Sequence, residues 1–198
     1  CTTDTFHPED PIMNHSHQIL SVQEQATLAS LVGRKWISVS GTGMHDPDFA
    51  WSSVDLTTDS GFLTLTLLMK VVNIDGEPDE YPCLSVGKWR AGEAPVSEKG
   101  NVYFHCRGEI VSDVMLMEEV LTCASADEVR FVNTSHTAVA VKVGEVWISM
   151  VRSSHFSDSF DVHRSNSLDE IPLPQTLNEW EADLMNHFTI AREWISVS

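Results

Sequence analysis

Positive charge is what this chain is short of: 12 Lys and Arg stand against 29 Asp and Glu, a formal net charge of −17. Phosphate neutralisation needs clustered Lys and Arg, so the balance argues against nucleic-acid binding. The same field repels an anionic membrane surface and favours neutral or cationic partners. Long apolar runs are also missing. The nearest to one, Phe62 to Ile74, is interrupted by Thr64, Thr66, Lys70 and Asn73, too short and too polar to span a bilayer as a helix. The first residues do not read as a basic, apolar leader, so no signal peptide is expected within them. The chain opens on Cys1 rather than Met; a piece cut from a longer protein is the favoured expectation, with a lipidated Cys1 as the alternative. Cys1, Cys83, Cys106 and Cys123 show no C-x-x-C spacing, so no zinc ribbon or thioredoxin-like site is expected. Buried reduced thiols are the favoured reading, one inter-strand disulfide the alternative.

What is present is a 42% hydrophobic, 198-residue chain, enough for one substantial core. Ser21-Val22-Gln23-Glu24 has the spacing of a capping box, and Gly33 suits a helix C-terminus, which predicts a helix over about 21–32. From Arg34 to Arg164 the pattern is strand-like. Trp36 to Ser40 alternates, Phe62 to Asn73 is rich in Leu, Val and Thr, and Ala138–Val143 and Val146–Val151 flank a Gly144-Glu145 turn. Ser112 to Ala126 fits helix or strand and is read as strand from its neighbours. No helical pattern separates the strands, which argues against βαβ units.

Toward the end, Pro172 and Pro174 predict an extended linker. Thr176 to Glu179 repeats the capping-box spacing, and Leu177, Trp180, Leu184, Phe188, Ala191 and Ile195 form a helical stripe. The expected organisation is a loop segment over 1–20, a β-rich domain over 21–164, a Pro-containing linker over 165–175 and an amphipathic helix over 176–198. The expected fold is mainly β: an antiparallel sandwich or barrel, jelly-roll-like, with one short N-terminal helix and one C-terminal helix. Trp36–Ser40 and Trp194–Ser198 are the same pentapeptide, too short to mark a repeat.

Chemistry-bearing patterns are sparse. His15 and His17 would share a face on a strand, and His7 could join them on a first-row metal. That is the alternative to solvated histidines. His136, His155 and His163 lie near strand ends with Asp158 and Asp161, without a spacing that forces them together. Asp46, Asp48, Asp55 and Asp59 give an oxygen-rich stretch whose default reading is a solvated turn. Ser40-Gly41-Thr42-Gly43 matches no phosphate-binding loop, and no G-x-S-x-G elbow occurs. Asn133-Thr134-Ser135 fits a glycosylation acceptor. Of six tryptophans, Trp36, Trp147 and Trp180 read as packing residues. Trp51 and Trp89, the latter beside Arg90, are the candidate ligand-binding residues.

These features point to a non-catalytic recognition or attachment domain that binds protein or glycan, displayed at a cell or particle surface in the manner of a capsid projection. No cofactor is implied, and a homo-oligomer fits. The alternatives are a β-barrel enzyme with a small-molecule or metal site, and a structural subunit assembling through its C-terminal helix.

Overall fold

Alternation of apolar and polar side chains decides most of the local structure. The computed structural model describes residues 14–42, 44, 49–74, 77–95, 100–102, 107–125, 128–174 and 186–197. Among these residues twelve strands follow in chain order: β1 (Asn14–Gln18), β2 (Trp36–Thr42), β3 (Phe49–Thr58), β4 (Gly61–Ile74), β5 (Glu77–Val86), β6 (Arg90–Ala91), β7 (Gly100–Val102), β8 (Val111–Ser125), β9 (Glu128–Val143), β10 (Val146–Arg152), β11 (Ser159–Ser165) and β12 (Asn186–Ser196). One helix, α1 (Val22–Ala29), lies between β1 and β2. The expected mainly antiparallel β fold is what forms, as a sheet not closed into a barrel. Among the described residues every strand pairing is antiparallel except β1 on β9.

β12-β8-β9-β10-β11 form one half of the sheet. β3 carries it into the other half, pairing with β11 through Phe49–Trp51 and with β2 and β4 beyond. The two halves close over one apolar core. Val54, Leu56, Leu63, Leu65, Leu67, Leu84 and Val86 from one half pack with Val114, Leu116, Val139, Val141, Ile148, Met150, Phe160 and Val162 from the other. Burial of these aliphatic faces is the main driving force of folding. Gly41 lies where β2 and β3 approach closely: a Cβ there would sit 2.6 Å from that of Ala50. Its glycine serves strand packing.

The predicted N-terminal helix forms. Ser21 Oγ accepts from the Glu24 amide, and Glu24 accepts in return from the Ser21 amide. Leu28 and Leu31 enter the core, whereas Val22 is exposed. The β9–β10 hairpin turns at Gly144-Glu145, where Gly144 has φ +57°, the conformation a tight two-residue hairpin turn demands of its first residue. The ambiguous run after Ser112 is strand β8.

Three expectations are corrected. Residues 14–18, read as loop, form β1, held against β9 by parallel pairing and by Ser16 Oγ donating to Asn133 Oδ1 at 2.7 Å. Residues 165–174 are not a free linker. A short 3₁₀ turn, Leu168–Glu170, leads Ile171 and Leu173 onto the face of the sheet opposite the main core, beside Trp147, Val151 and Trp194. The predicted C-terminal helix is a strand over Asn186–Ser196, paired with β8 at every position. Phe188 and Ile195 of the supposed stripe sit on opposite sides of the sheet. Leu177, Trp180 and Leu184 lie outside the described residues. Backbone pairing of the whole of β12 with Met115–Ser125 of β8 outweighs a helical spacing that is compatible with strand. Among the described residues no helix is long and apolar enough to cross a membrane.

Candidate functional site

The residues singled out from sequence are dispersed. His15 and His17 stack with ring centroids 6.5 Å apart on the exposed face of β1. His7 lies outside the described residues. Trp51 is 53% exposed, with Phe49 edge-on to it at 4.9 Å and Ser52 following in the left-handed region at φ +51°. Trp89 packs against the core and carries the Arg34 guanidinium 4.1 Å above its ring. Arg90 stands over Phe62 and 3.8 Å from Glu93. Because β6 pairs with Gly61–Phe62 at the β3–β4 turn, Trp89 and Trp51 occupy opposite ends of β3. Seven residues of extended chain separate Trp51 from Thr58, roughly 23 Å.

The remaining candidates are held by structural contacts. Asp55 is buried and accepts from Thr64 Oγ1 at 2.6 Å; Asp59 is exposed beside the Lys35 amide; Asp46 and Asp48 lie outside the described residues. Asp158 and Asp161 accept from Ser52 and Ser153. His136 accepts from the Leu20 amide at 2.9 Å and lies near Glu118. His155 has a different carboxylate neighbour, Glu119, and His163 pairs across from Ser149. Among the described residues no three His, Cys, Asp or Glu are placed to hold a metal ion. Asn133 is buried, with Oδ1 bonded to Ser16, so the glycosylation acceptor is closed to solvent. Cys83 and Cys123 are buried thiols; Cys1 and Cys106 lie outside the described residues.

A cluster that the spacing did not reveal gathers around Glu119, which is 1% exposed. Its Oε1 accepts from Arg152 Nη2 at 3.1 Å and lies 3.3 Å from His155 Nδ1, and its Oε2 accepts from Arg192 Nε at 2.8 Å. Arg152 lies 5.0 Å over the Tyr81 ring, and the Tyr81 hydroxyl is 3.2 Å from Ser135 Oγ. Arg192 also donates to the Pro174 carbonyl at 2.7 Å. Burial, opposed by the Glu119 charge and reinforced by the two arginines, lowers His155 to about 4. The ring is therefore neutral at pH 7. Burial likewise lowers His136. The detectable signal was charge in apolar strands: Glu119 between Met117 and Leu121, Arg152 after Val151. Both oxygens of Glu119 are committed to arginines, which makes the cluster a cross-brace joining β8, β10 and β12.

The surface carries an open groove of about 210 Å³ between β1 and the β4–β5 hairpin. His17, Gln18, Ile19, Glu24, Lys70, Val71, Val72, Cys83 and Leu84 line it. Gln18 Oε1 is buried without a hydrogen-bond partner. Glu24 fixes one wall by accepting from the Val86 amide at 3.0 Å and Ser85 Oγ at 3.1 Å. Burial raises the Glu24 carboxyl, but the hydrogen bonds from Ser21, Val86 and Ser85 together bring it below its ordinary value. Burial raises the Cys83 thiol, against the pull of Lys70 and Arg152. That thiol stays protonated and unreactive at neutral pH. Comparison with family models, curated proteins and solved structures gives no match.

Proposed function

We propose that this protein is a non-catalytic recognition module that binds a polypeptide through the groove between β1 and the β4–β5 hairpin. The observation that carries the reading is where exposed apolar surface lies. Of the nine exposed large hydrophobic residues among the described residues, Ile19, Val22, Leu68, Met69 and Val71 belong to β4 or to the segment from β1 into α1. A concentration of that kind beside a concave wall is characteristic of interaction surfaces. The lining mixes aliphatic Ile19, Val71, Val72 and Leu84 with polar and charged side chains and holds no Trp, Tyr or Phe, which suits a peptide better than a sugar ring. The net charge of −17 favours a partner bearing Lys or Arg. The committed oxygens of Glu119 speak against using the buried cluster for acid–base chemistry.

Selection of random peptides on the immobilised chain tests the reading. Sequences that combine aliphatic and basic residues should be enriched. A Val71→Glu variant, altered at a site 70% exposed, should bind them at least about tenfold more weakly with its fold unchanged. Equal binding by that variant would overturn the reading, as would the absence of any enriched sequence. Trp51 supports a second reading, glycan recognition, because an exposed indole flanked by Phe49 offers a stacking face. Glycan-array binding abolished by Trp51→Ala would favour it over the groove.

A further inference from the structure

Besides its backbone pairing, the β1 segment is tied to β9 by two side chains of that strand, Asn133 and His136. Ser16 Oγ donates to Asn133 Oδ1, and where the chain turns from β1 into α1 the Leu20 amide donates to His136 Nδ1 at 2.9 Å. His136 is 2% exposed. The Leu20 side chain lies in the main core, and its carbonyl accepts from Gln25 Nε2 at 2.9 Å. This corner carries the groove. His17, Gln18 and Ile19 lie immediately before it, and Glu24, on the first turn of α1, braces the β5 wall.

A ring nitrogen that accepts a hydrogen bond carries no proton. Nδ1 is therefore bare, and the neutral ring holds its proton on Nε2, which lies 3.9 Å from Glu118 Oε2 on β8. A second proton can enter only at Nδ1, where it meets the Leu20 N–H head-on and leaves two buried donors facing each other. Burial lowers the imidazole below its ordinary value of 6.5, against the carboxylates of Glu118 on β8 and Glu24 on α1. The other neighbouring strands direct their polar groups elsewhere. β1 turns His15 and His17 outward, β5 brings the Tyr81 hydroxyl to the adjoining Ser135, and Arg152 of β10 is paired with Glu119.

We propose that His136 is an acid-sensitive latch on the groove, a reading that rests on the peptide-binding role proposed above. Protonation of Nδ1 expels the Leu20 amide, frees the corner between β1 and α1, and releases a bound peptide. At neutral pH the ring is uncharged and the latch is closed. As the pH falls below the ordinary histidine value, an open corner takes up a proton that the closed one refuses, so opening is favoured. Glu24 does not give way in the same range. Burial raises its carboxyl, but hydrogen bonds from Ser21, Val86 and Ser85 bring it below its ordinary 4.5, so α1 keeps its cap.

Amide hydrogen exchange of the whole chain at about pH 7.5 and about pH 5, corrected for the intrinsic change in exchange rate, tests the latch without any peptide. Acid should lower the protection of Leu20 and of β1 at least about tenfold and leave Ile148 and Met150 of β10 protected. In nitrogen-15 spectra the coupling across the hydrogen bond from the Leu20 amide to Nδ1 should vanish over the same range. His136→Asn sets an amide oxygen where Nδ1 stands and cannot titrate, so its corner should stay protected at both pH values. His155→Phe should respond like the unaltered chain. Unchanged protection at Leu20 overturns the proposal, as does a loss shared equally by β10 or an acid response kept by His136→Asn. A coupling that persists in acid overturns it even where that variant fails to fold. Peptides enriched on the immobilised chain at neutral pH are the second probe, and they should dissociate at about pH 5. Peptides retained there while the corner opens would overturn the link from latch to groove. An acid-opened corner with no enriched peptide would uphold the latch and overturn the peptide reading.

Discussion

Strand β8 serves two interiors. Val114 and Leu116 point into the aliphatic core between the two halves of the sheet. Met117, Glu119 and Leu121 belong to the opposite face, where apolar patches flank the Glu119–Arg152–His155–Arg192 cluster. The first interior is held by non-directional burial, so its losses scale with the volume removed. The second is held by charges that neutralise one another out of water. Its stability is conditional: all partners together are tolerable, whereas one missing partner leaves a charge stranded. A β9 irregularity at Thr137 keeps both faces in register, since Met117 faces Ala138 while Glu118 faces His136. That extra residue lets Ser135 and Asn133 share a face with Glu119 and Leu121.

The comparison can be broken most sharply at Glu119. Glu119→Ala should cost about 3–5 kcal/mol, because Arg152 and Arg192 lose a shared buried counter-charge. Thermal and urea unfolding of the variant measure this, and a loss under 1 kcal/mol would refute the cross-brace. On the other side, Ile148→Ala removes a fully buried side chain from the aliphatic core. It should cost about 2–5 kcal/mol, with Ile148→Val nearer 1 kcal/mol, a graded series that the charged interior should not show.

The two interiors should also separate by pH. His155 lies near 4 in the folded protein, against an ordinary value of 6.5. Between those values the unfolded chain binds the extra proton, so stability rises with pH through that window. The stabilisation is complete above about 6.5 and is lost as the pH falls toward 4, at most about 3 kcal/mol. His136, lowered in the same direction, adds to the slope. A His155→Phe variant should show a flatter profile of unfolding free energy from pH 7 to pH 4; an unchanged slope would assign the effect elsewhere. The smallest effect belongs to the helix capping the aliphatic core. Ser21→Ala removes the capping box and should cost about 1 kcal/mol, read by chemical denaturation.

Much of the fold was legible because its signals are local. Ser21 and Glu24 announced α1 three residues apart, and Gly144 announced the β9–β10 turn. The candidate site was not legible, because it is assembled across the chain. Glu119 meets Arg152 and Arg192 at separations of 33 and 73 residues. No spacing rule reaches that far, and only strand order brings them together. The groove is similar: Gln18 meets Val71 and Cys83 because β1 returns to β9 beside β4. Trp51 and Trp89, paired by composition, are separated by the length of β3.

The pentapeptide Trp-Ile-Ser-Val-Ser marks the boundary between the two kinds of information. In β2, Trp36 and Val39 both enter the main core, because a register shift between Trp36 and Ser38 turns the strand. At the end of the chain, Ile195 and Val197 pack on that core, while Trp194 packs on the opposite side of the sheet. Branched and aromatic side chains with small polar spacers commit both copies to extended backbone wherever they fall in the chain. Acidity, helix start and turns are likewise set by the residues themselves. Which side of each strand met the core was decided only by tertiary structure. Alternation defines two faces without labelling either one, and a single bulge exchanges them.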